Sequence, residues 1–442
     1  MIHALEEEKT LIDNEVITRP SSRVRLAPET RRGLIALGLG GTLEWYDWML
    51  FGLVASYLGP KFFPASSPVA ATLSALAVFA VGFFFRPIGG IILGTFADRI
   101  GRRKIMIFSV GMMAITTLVI AICPTYAQIG AWAGVILLLT RIVQGISTGV
   151  EGPLATAQGL ELVPEGREGT VAGVMSAFVN FGILAASLVT FLTVLVLGPT
   201  AMSDWGWRIP FGVAVVGSLI VVYLRRRLPE TMTQEELEES STGAIWSSVG
   251  RNWLSVLAIV FVVGAVQVYN YAWTTGLPNT ARTVMNESPA AVFGITTLLS
   301  VVMVVGSLIV GKLVDGKALS KWYIWTRALA IPSMFLILLY VRPGIGAFAG
   351  VVLGGSIVMV LNMTLYNVVT STLMPKASRG AGTALGYGIG VAVFGGTAAY
   401  LVVWCASIHQ LWLFSMYGAV LMVLSIVLYV LARRINGIHI GR

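Results

Sequence analysis

The chain has 442 residues, of which 56% are hydrophobic and only 12% are charged, and its formal net charge is +9. The mean hydropathy of +0.83 excludes a soluble globular domain of this size. In a soluble protein such a positive balance would favour nucleic acid as a partner, so the position of the cations along the chain decides what they mean.

Apolar runs long enough to cross about 30 Å of hydrocarbon recur along the whole chain. In chain order they predict helix 1 to helix 12 at 33–56, 70–96, 105–123, 131–162, 169–197, 207–224, 253–276, 290–314, 322–340, 346–373, 380–403 and 411–431. The sequence therefore predicts an all-α polytopic membrane protein with twelve transmembrane helices.

The cations are strongly biased toward one side of the predicted membrane. With the N-terminus in the cytosol, most lysines and arginines of the tails and loops fall inside. Those that fall outside are Lys61, Arg208, Arg282 and Arg342. This positive-inside pattern predicts that both termini are cytosolic, in a protein of the cell (inner) membrane. It also explains the net charge without nucleic acid.

The chain divides into two pseudo-symmetric six-helix halves. The spacing Gly94-x-x-x-Asp98 recurs as Gly311-x-x-x-Asp315 in the second half. Internal duplication is typical of secondary transporters, which bind substrate between the halves near the membrane midplane. We expect a cytosolic tail at 1–32, a six-helix bundle at 33–224, a cytosolic linker at 225–252, a second bundle at 253–432 and a cytosolic tail at 433–442.

Charged side chains lie inside the predicted helices, where each costs about 2.5–3.5 kcal/mol and indicates a functional site. At 1.5 Å per residue, Glu44, Asp47 and Arg86 share a depth near the midplane. On helix 4, Arg141 and Glu151 belong to a polar stripe on one face. A guanidinium matches a carboxylate with two parallel hydrogen bonds, so the two arginines favour a di- or tricarboxylate substrate.

The same arginines have a second possible role as partners of protein carboxylates. Arg86 would then pair with Glu44 or Asp47, and Arg141 with Glu151. The two roles are compatible, because a pair that exchanges its partner for substrate couples two sites.

With these features the chain resembles the major facilitator superfamily, in its branch of metabolite:proton symporters for α-ketoglutarate, citrate, shikimate and proline/betaine. The resemblance rests on Glu44-Trp45-Tyr46-Asp47, Arg86-Pro87-x-Gly89-Gly90, Gly94-x-x-x-Asp98-Arg99-x-Gly101-Arg102-Arg103, Arg141-x-x-Gln144-Gly145 and Trp205-Gly206-Trp207-Arg208-Ile209-Pro210-Phe211. It implies the major facilitator fold and proton-coupled uptake by alternating access, driven by a proton gradient rather than a cofactor.

The site residues follow from the polar positions and the resemblance together. We expect substrate to be bound by Arg86, Arg141, Tyr46, Gln144, Asn180, Gln267, Asn270, Tyr271 and Tyr366. The histidines lie in tails or an outer loop, so we expect proton coupling by Asp47, Glu44 or Glu151. We expect cytosolic gating by Gly94, Asp98, Arg99, Gly101, Arg102, Arg103, Glu161, Asp315 and Arg379.

Two other classes of function are an exporter and an enzyme. A proton-driven exporter of a drug, siderophore or metabolite would share the fold and stays an open alternative. No nucleotide loop, metal-spaced cluster or nucleophile motif favours an enzyme. We expect a monomer in the bilayer with a small, anionic substrate and protons as partners, no nucleic acid and no metal. Cys123 and Cys405 lie near outer helix ends, as a disulfide or as free thiols.

Overall fold

A computed structural model of the chain describes residues 28–100, 102–149, 163, 167–225, 242–375 and 378–435. Within these ranges every regular element is helical. Eight of the described helices are long and apolar enough to cross a bilayer, and two more, Trp132–Thr148 and Arg208–Tyr223, are apolar but shorter. The prediction of an all-α polytopic membrane protein is confirmed.

The first half contains helices 1 to 6 at the predicted places. Their bounds are Pro28–Leu53 continued by Ala55–Phe62, Pro68–Ile100, Arg102–Ile122, Trp132–Thr148, Glu168–Ala201 and Arg208–Arg225. Helix 1 was predicted as one segment and is interrupted at Val54. Helix 4 was predicted to continue to residue 162, and 150–162 lie outside the described residues.

The second half contains helices 7 to 12. Their bounds are Trp253–Tyr271 continued by Ala272–Gly276 and Leu277–Thr283, then Pro289–Val314, Leu319–Leu338, Ile345–Thr372, Arg379–Gly390 continued by Val391–Gly395 and Gly396–Ser407, and Leu411–Ile435. Ala272–Gly276 and Val391–Gly395 are π-helical turns. Helix 7 runs seven residues past its predicted end at 276, because the π-helical turn carries the helix through Gly276. A short helix, Thr242–Arg251, precedes it. The predicted tails, up to 27 and from 436, and linker residues 226–241 lie outside the described residues.

Large apolar side chains cover the outside of the bundle. Ile115, Leu195 and Leu336 are each about 60% exposed, whereas Arg86 and Arg141 are almost fully buried. This inverted pattern is what hydrocarbon requires, since charged groups are costly against lipid. Both cysteines are free thiols.

Helices 2 and 4 approach each other so closely that their backbones touch at glycines. A Cβ atom on Gly145 would lie 2.0 Å from the carbonyl oxygen of Gly82, and one on Gly149 would lie 2.2 Å from that of Arg86. Small residues permit such approach between membrane helices. The contact fixes the side chains of Arg86 and Arg141 at neighbouring depths in the first half.

The two halves also meet along helices 5 and 8. A Cβ atom on Gly169 would lie 2.4 Å from the carbonyl oxygen of Gly311, so the two backbones are in direct contact. Gly311 begins the second-half repeat of the sequence pattern. The glycine of this repeat therefore permits close packing between the halves.

Because helices 2 and 4 touch at Gly145, adding one methyl group there should destabilise the fold. Gly145→Ala forces a backbone clash, so we expect it to lower the free energy of unfolding by about 1–3 kcal/mol. Gly111→Ala is the matched control, because a Cβ atom there meets nothing within 4 Å. Thermal unfolding of both variants in detergent measures the difference. Equal midpoints for the two variants would contradict the close approach.

Candidate functional site

Arg86 is held by a protein carboxylate. Its Nη2 donates to Oε1 of Glu44 at 2.5 Å, and each of these side chains is 5% exposed. Its Nε donates to Oγ1 of Thr148 at 3.1 Å. Its Cζ lies 4.2 Å from the ring centroid of Trp48. Of the two partners considered for Arg86, the structure shows Glu44, so this arginine is neutralised in the conformation described.

Asp47 lies one helical turn further along helix 1 and has only neutral partners. Oγ1 of Thr117 donates to its Oδ1 at 2.5 Å, and Nε2 of Gln144 donates to its Oδ2 at 2.9 Å. The carboxylate is 1% exposed. The ion pairs within 4.0 Å in the described part of the chain involve other residues. Asp47 is therefore buried and hydrogen-bonded without a salt bridge.

Arg141 is fully buried, and its polar atoms are unsatisfied. None of its three guanidinium nitrogens has a hydrogen-bond partner among the described residues. Its Cζ lies 4.1 Å from the ring centroid of Phe51 and 5.8 Å from that of Trp48. Its charge interacts with that of Asp47 through space. Buried polar groups normally find partners, so a guanidinium resting on aromatic rings indicates a place for an anion.

The second half contributes neutral groups to the same region. Nδ2 of Asn270 donates to Oε1 of Gln267 at 3.1 Å, and Nε2 of Gln267 donates to the hydroxyl of Tyr366 at 3.2 Å. The ring of Tyr271 stacks on Trp45 of the first half, with centroids 6.3 Å apart. The Oδ1 atom of Asn270 and the hydroxyl of Tyr271 have no partner among the described residues. The predicted residues of helices 7 and 10 are thus joined to one another, and Tyr271 contacts the first half across the interface between the halves.

Two predicted substrate residues point elsewhere. The hydroxyl of Tyr46 donates to the carbonyl oxygen of Pro210 in helix 6 at 2.9 Å. Nδ2 of Asn180 donates to Oγ of Ser307 at 3.0 Å, between helices 5 and 8. The structure does not gather these two side chains around the arginines.

Asp315 connects the halves at the predicted inner face. Its Oδ1 accepts from the backbone nitrogen of Thr170 at 2.7 Å, and its Oδ2 accepts from the Thr170 hydroxyl. Nη1 of Arg167 lies 3.5 Å from Oδ2. A carboxylate at the first turn of a helix satisfies free N–H groups and the positive end of the dipole. Asp315, Thr170 and Arg167 thus join helix 8 to helix 5, and this contact is named the inner latch after the predicted inner face.

Most of the other predicted gating residues, or their side chains, lie outside the part of the chain that the structure describes. Glu151, Glu161 and Gly101 lie outside the described residues, and the side-chain surroundings of Asp98, Arg99, Arg102, Arg103 and position 94 do as well. Arg379 begins the inner segment of helix 11. No group of three or more His, Cys, Asp or Glu side chains in the described ranges is arranged to hold a metal ion.

Three residues that make buried polar contacts in the structure were not predicted from the sequence. Thr117 completes the environment of Asp47. Arg327 is a fully buried arginine of helix 9 whose Nη2 donates to the carbonyl oxygen of Val262 at 2.9 Å. Asn279 bonds helix 1 from the outer part of helix 7. A charge inside an apolar run was a usable signal for Arg327, whereas nothing in the local sequence indicated the other two.

The known proteins to which this chain is similar are membrane transporters. A family described as "Sugar (and other) transporter" matches residues 34–253. A citrate-proton symporter of Klebsiella pneumoniae is 31% identical, over 86% of this chain and 86% of the relative. The ectoine/proline transporter ProP of Corynebacterium glutamicum is 30% identical, over 89% and 80%. The alpha-ketoglutarate permease of Escherichia coli is 29% identical, over 96% and 98%.

Solved structures agree with the fold. The partially occluded, inward-open xylose transporter XylE from E. coli has a TM-score of 0.69 at 18% identity, covering 90% of this chain and 97% of that one. At this identity the likeness supports the twelve-helix architecture in two halves and carries no argument about substrate.

The Glu44–Arg86 pair predicts a strong energetic coupling. Glu44→Gln or Arg86→Met alone leaves a buried charge without its ion-pair partner, so we expect each to lower the free energy of unfolding by about 3–5 kcal/mol. The double variant should lose much less than the sum, because neither charge remains. A double-mutant cycle on thermal or chemical unfolding measures the coupling.

An exposed ion pair provides the matched control for this cycle. Lys61 and Asp204 lie 3.5 Å apart with side chains 29% and 64% exposed, so Asp204→Asn should change stability by less than about 1 kcal/mol. Additive effects of Glu44→Gln and Arg86→Met would show that the two side chains do not act as a pair.

Proposed function

Since the chain belongs to the major facilitator superfamily, in its branch of metabolite:proton symporters, we propose that it takes up a small carboxylate together with a proton by alternating access. The observation that carries this proposal is Arg141, a buried guanidinium whose three nitrogens lack hydrogen-bond partners in the described part of the chain. Its position supports a role as the anion anchor.

The arrangement around Arg141 favours a carboxylate group. The guanidinium rests on the aromatic faces of Phe51 and Trp48, which stabilise the cation without occupying its hydrogen-bonding edge. A carboxylate would satisfy that edge with two parallel bonds. In the second half, the Tyr271 hydroxyl has no hydrogen-bond partner among the described residues and is available for a second polar group of the substrate. Arg86 contributes less directly, because Glu44 already accepts from it.

The coupling to protons is assigned to Asp47. Glu44 is committed to Arg86, whereas Asp47 accepts only from the neutral donors Thr117 and Gln144. In the empty site, the charge of Arg141 stabilises the Asp47 carboxylate. When a substrate anion compensates that charge, Asp47 binds a proton more readily. Substrate and proton would therefore bind together and leave together.

The substrate class has two chemical forms among the relatives. The citrate-proton symporter and the alpha-ketoglutarate permease carry names of polycarboxylates, while the ectoine/proline transporter carries names of zwitterions. Segment 253–435 contains two acidic residues, Glu287 and Asp315, and both lie at helix ends. The Asp315 side chain is only 6% exposed but is already bonded to Thr170 and Arg167. Because the second half therefore offers no uncommitted buried acid to a substrate cation, we favour a di- or tricarboxylate.

The proposed orientation follows from the cation bias of the loops. Both termini would be cytosolic and the protein would lie in the inner membrane, with the inner latch of Asp315 on the cytosolic side. In that orientation an inward proton gradient drives uptake.

The anchor role predicts the behaviour of Arg141→Gln. We expect loss of gradient-driven accumulation of carboxylates in proteoliposomes and a fall in carboxylate affinity of about tenfold or more, because bonds to a charged group are lost. Arg342→Gln, in an exposed outer loop, is the matched control. The variant removes an unsatisfied guanidinium but also the charge that balances Asp47, so thermal unfolding of both variants checks that the fold is preserved.

The substrate panel for this test is citrate, α-ketoglutarate, succinate, shikimate, proline and betaine. Accumulation of a carboxylate by the parent protein, lost in Arg141→Gln and kept in Arg342→Gln, is the expected result. Uptake restricted to zwitterions would show that the substrate is a zwitterion and not a carboxylate. Full carboxylate affinity in Arg141→Gln would show that Arg141 is not the anion anchor. Absence of any accumulation would favour an exporter.

If Asp47 carries the coupled proton, its substitution should affect gradient-driven accumulation and substrate exchange differently. Asp47→Asn should abolish gradient-driven accumulation and retain exchange of internal for external substrate, because exchange needs no proton to be bound and released. Asp204→Asn, on the outer surface, should retain both. Uptake and counterflow of one labelled substrate measure the two modes in the same vesicles. Undiminished accumulation by Asp47→Asn would exclude Asp47 as the coupling group.

A further inference from the structure

Helix 1 is broken near its outer end. The helix stops at Leu53 and resumes at Ala55, and Val54 between them has φ −95° and ψ 14°. The carbonyl of Gly52 and the backbone nitrogen of Ser56 flank the break. They are four residues apart, so in an unbroken α-helix they would bond to each other.

Asn279 of the other half bonds both of these backbone groups. Its Nδ2 donates to the carbonyl oxygen of Gly52 at 2.8 Å, and its Oδ1 accepts from the backbone nitrogen of Ser56 at 3.0 Å. The same Nδ2 donates to the carbonyl oxygen of Thr275 at 2.8 Å. Asn279 is fully buried. One primary amide presents a donor and an acceptor side by side, which is what the two ends of a broken helical turn require.

Residues near Asn279 make further contacts between the outer ends of helices 1 and 7. Nη1 of Arg282 donates to Oγ of Ser56 at 3.0 Å, and its Cζ lies 3.8 Å from the ring centroid of Tyr57. A Cβ atom on Gly52 would lie 2.8 Å from Cγ2 of Thr275, so the two helices are in tight contact. The outer ends of helices 1 and 7 are therefore joined across the halves.

A π-helical turn links this contact to the candidate site. Ala272–Gly276 separates Asn270 and Tyr271, which face the first half, from the outer segment Leu277–Thr283 that carries Asn279. Such turns interrupt the regular ladder of helical bonds and often occur at functional sites. The π-helical turn therefore lies between the residues of the candidate site and the segment that carries Asn279.

We infer that Asn279 is a positioning residue of the transport cycle: it docks into the broken turn of helix 1 and holds the site closed to the outside. Asn279 with Gly52 and Ser56 forms an outer latch, opposite the inner latch of Asp315. Opening to the outside withdraws the Asn279 amide from both backbone groups. The inference rests on the alternating-access part of the proposed function and not on the identity of the substrate.

The test measures access to two reporter cysteines in a background that carries Cys123→Ala and Cys405→Ala. Thr275→Cys, fully buried beside the outer latch, reports opening to the outside. Val310→Cys, buried near the inner end of helix 8, reports opening to the inside. A membrane-impermeant thiol reagent is applied to right-side-out vesicles for the first reporter and to inverted vesicles for the second.

Asn279→Ala should raise the modification rate of the outer reporter about tenfold, because the latch bonds no longer favour the closed state. The rate of the inner reporter should fall, because the population moves toward the outward-open state. Asn279→Asp, which keeps the acceptor for Ser56 and loses the donor for Gly52, should lie between. Thr283→Val is the control on the same segment, since its hydroxyl bonds only its own helix, at the carbonyl of Asn279.

The reciprocal change separates a latch from a merely structural residue. If both reporters become more reactive, the variant has loosened the protein, and the inference is overturned. Unchanged rates at both reporters would overturn it as well. Neither rate depends on a substrate, so failure of carboxylate uptake with the reciprocal pattern intact would reject the proposed substrate and leave the outer latch standing.

Discussion

The cost of placing charge in hydrocarbon governs this protein, because four charged side chains lie within the first half at neighbouring depths. A charge removed from water requires a partner of opposite sign or a set of hydrogen bonds. Arg86 and Glu44 satisfy each other at 2.5 Å. Asp47 is satisfied by Thr117 and Gln144. Arg141 alone of the four rests on aromatic rings with its nitrogens unsatisfied among the described residues, and the proposed chemistry follows from that asymmetry.

The second half repeats the fold without repeating the charges. Its helices 7 and 10 present amides and phenols, joined through Gln267 and Tyr366. Its own buried arginine, Arg327, is held by a backbone carbonyl, a methionine sulfur and the face of Tyr323. A positive charge without a nearby acid makes this half electropositive, which supports an anionic substrate between the halves. The duplication therefore supplies two similar scaffolds, and the chemistry is divided unequally between them.

The sequence predicted helices and depth well, and side-chain partners poorly. Twelve apolar runs and their flanking charges place each helix, and 1.5 Å per residue then gives the depth of Glu44 or Arg86. Depth does not determine the rotation of one helix against another, so Glu44 and Asp47 stayed equal candidates for Arg86. The structure decides between them, because Arg86 bonds Glu44 while Asp47 accepts from Thr117 and Gln144. Asn279 was beyond prediction because its partners are backbone groups exposed by a break at Val54.

Both latches are formed in this structure, and Arg141 and Asp47 between them are buried, so in the proposed symport the coupling of a proton to an anion is governed by the electrostatics of a buried site. In the proposed cycle the empty site holds Arg141 with Asp47 ionised, so that their charges cancel. With one substrate carboxylate on Arg141 and a proton on Asp47 the charges would cancel again, and each further carboxylate of a di- or tricarboxylate would have to enter protonated or be matched by an additional proton. An anion without the proton, or a proton without the anion, would leave a net charge in a closed, apolar enclosure, where the energetic cost is high. Under the proposed function, only the empty state and the loaded state whose charges are balanced would close at both faces, so symport would follow from the electrostatics of closure.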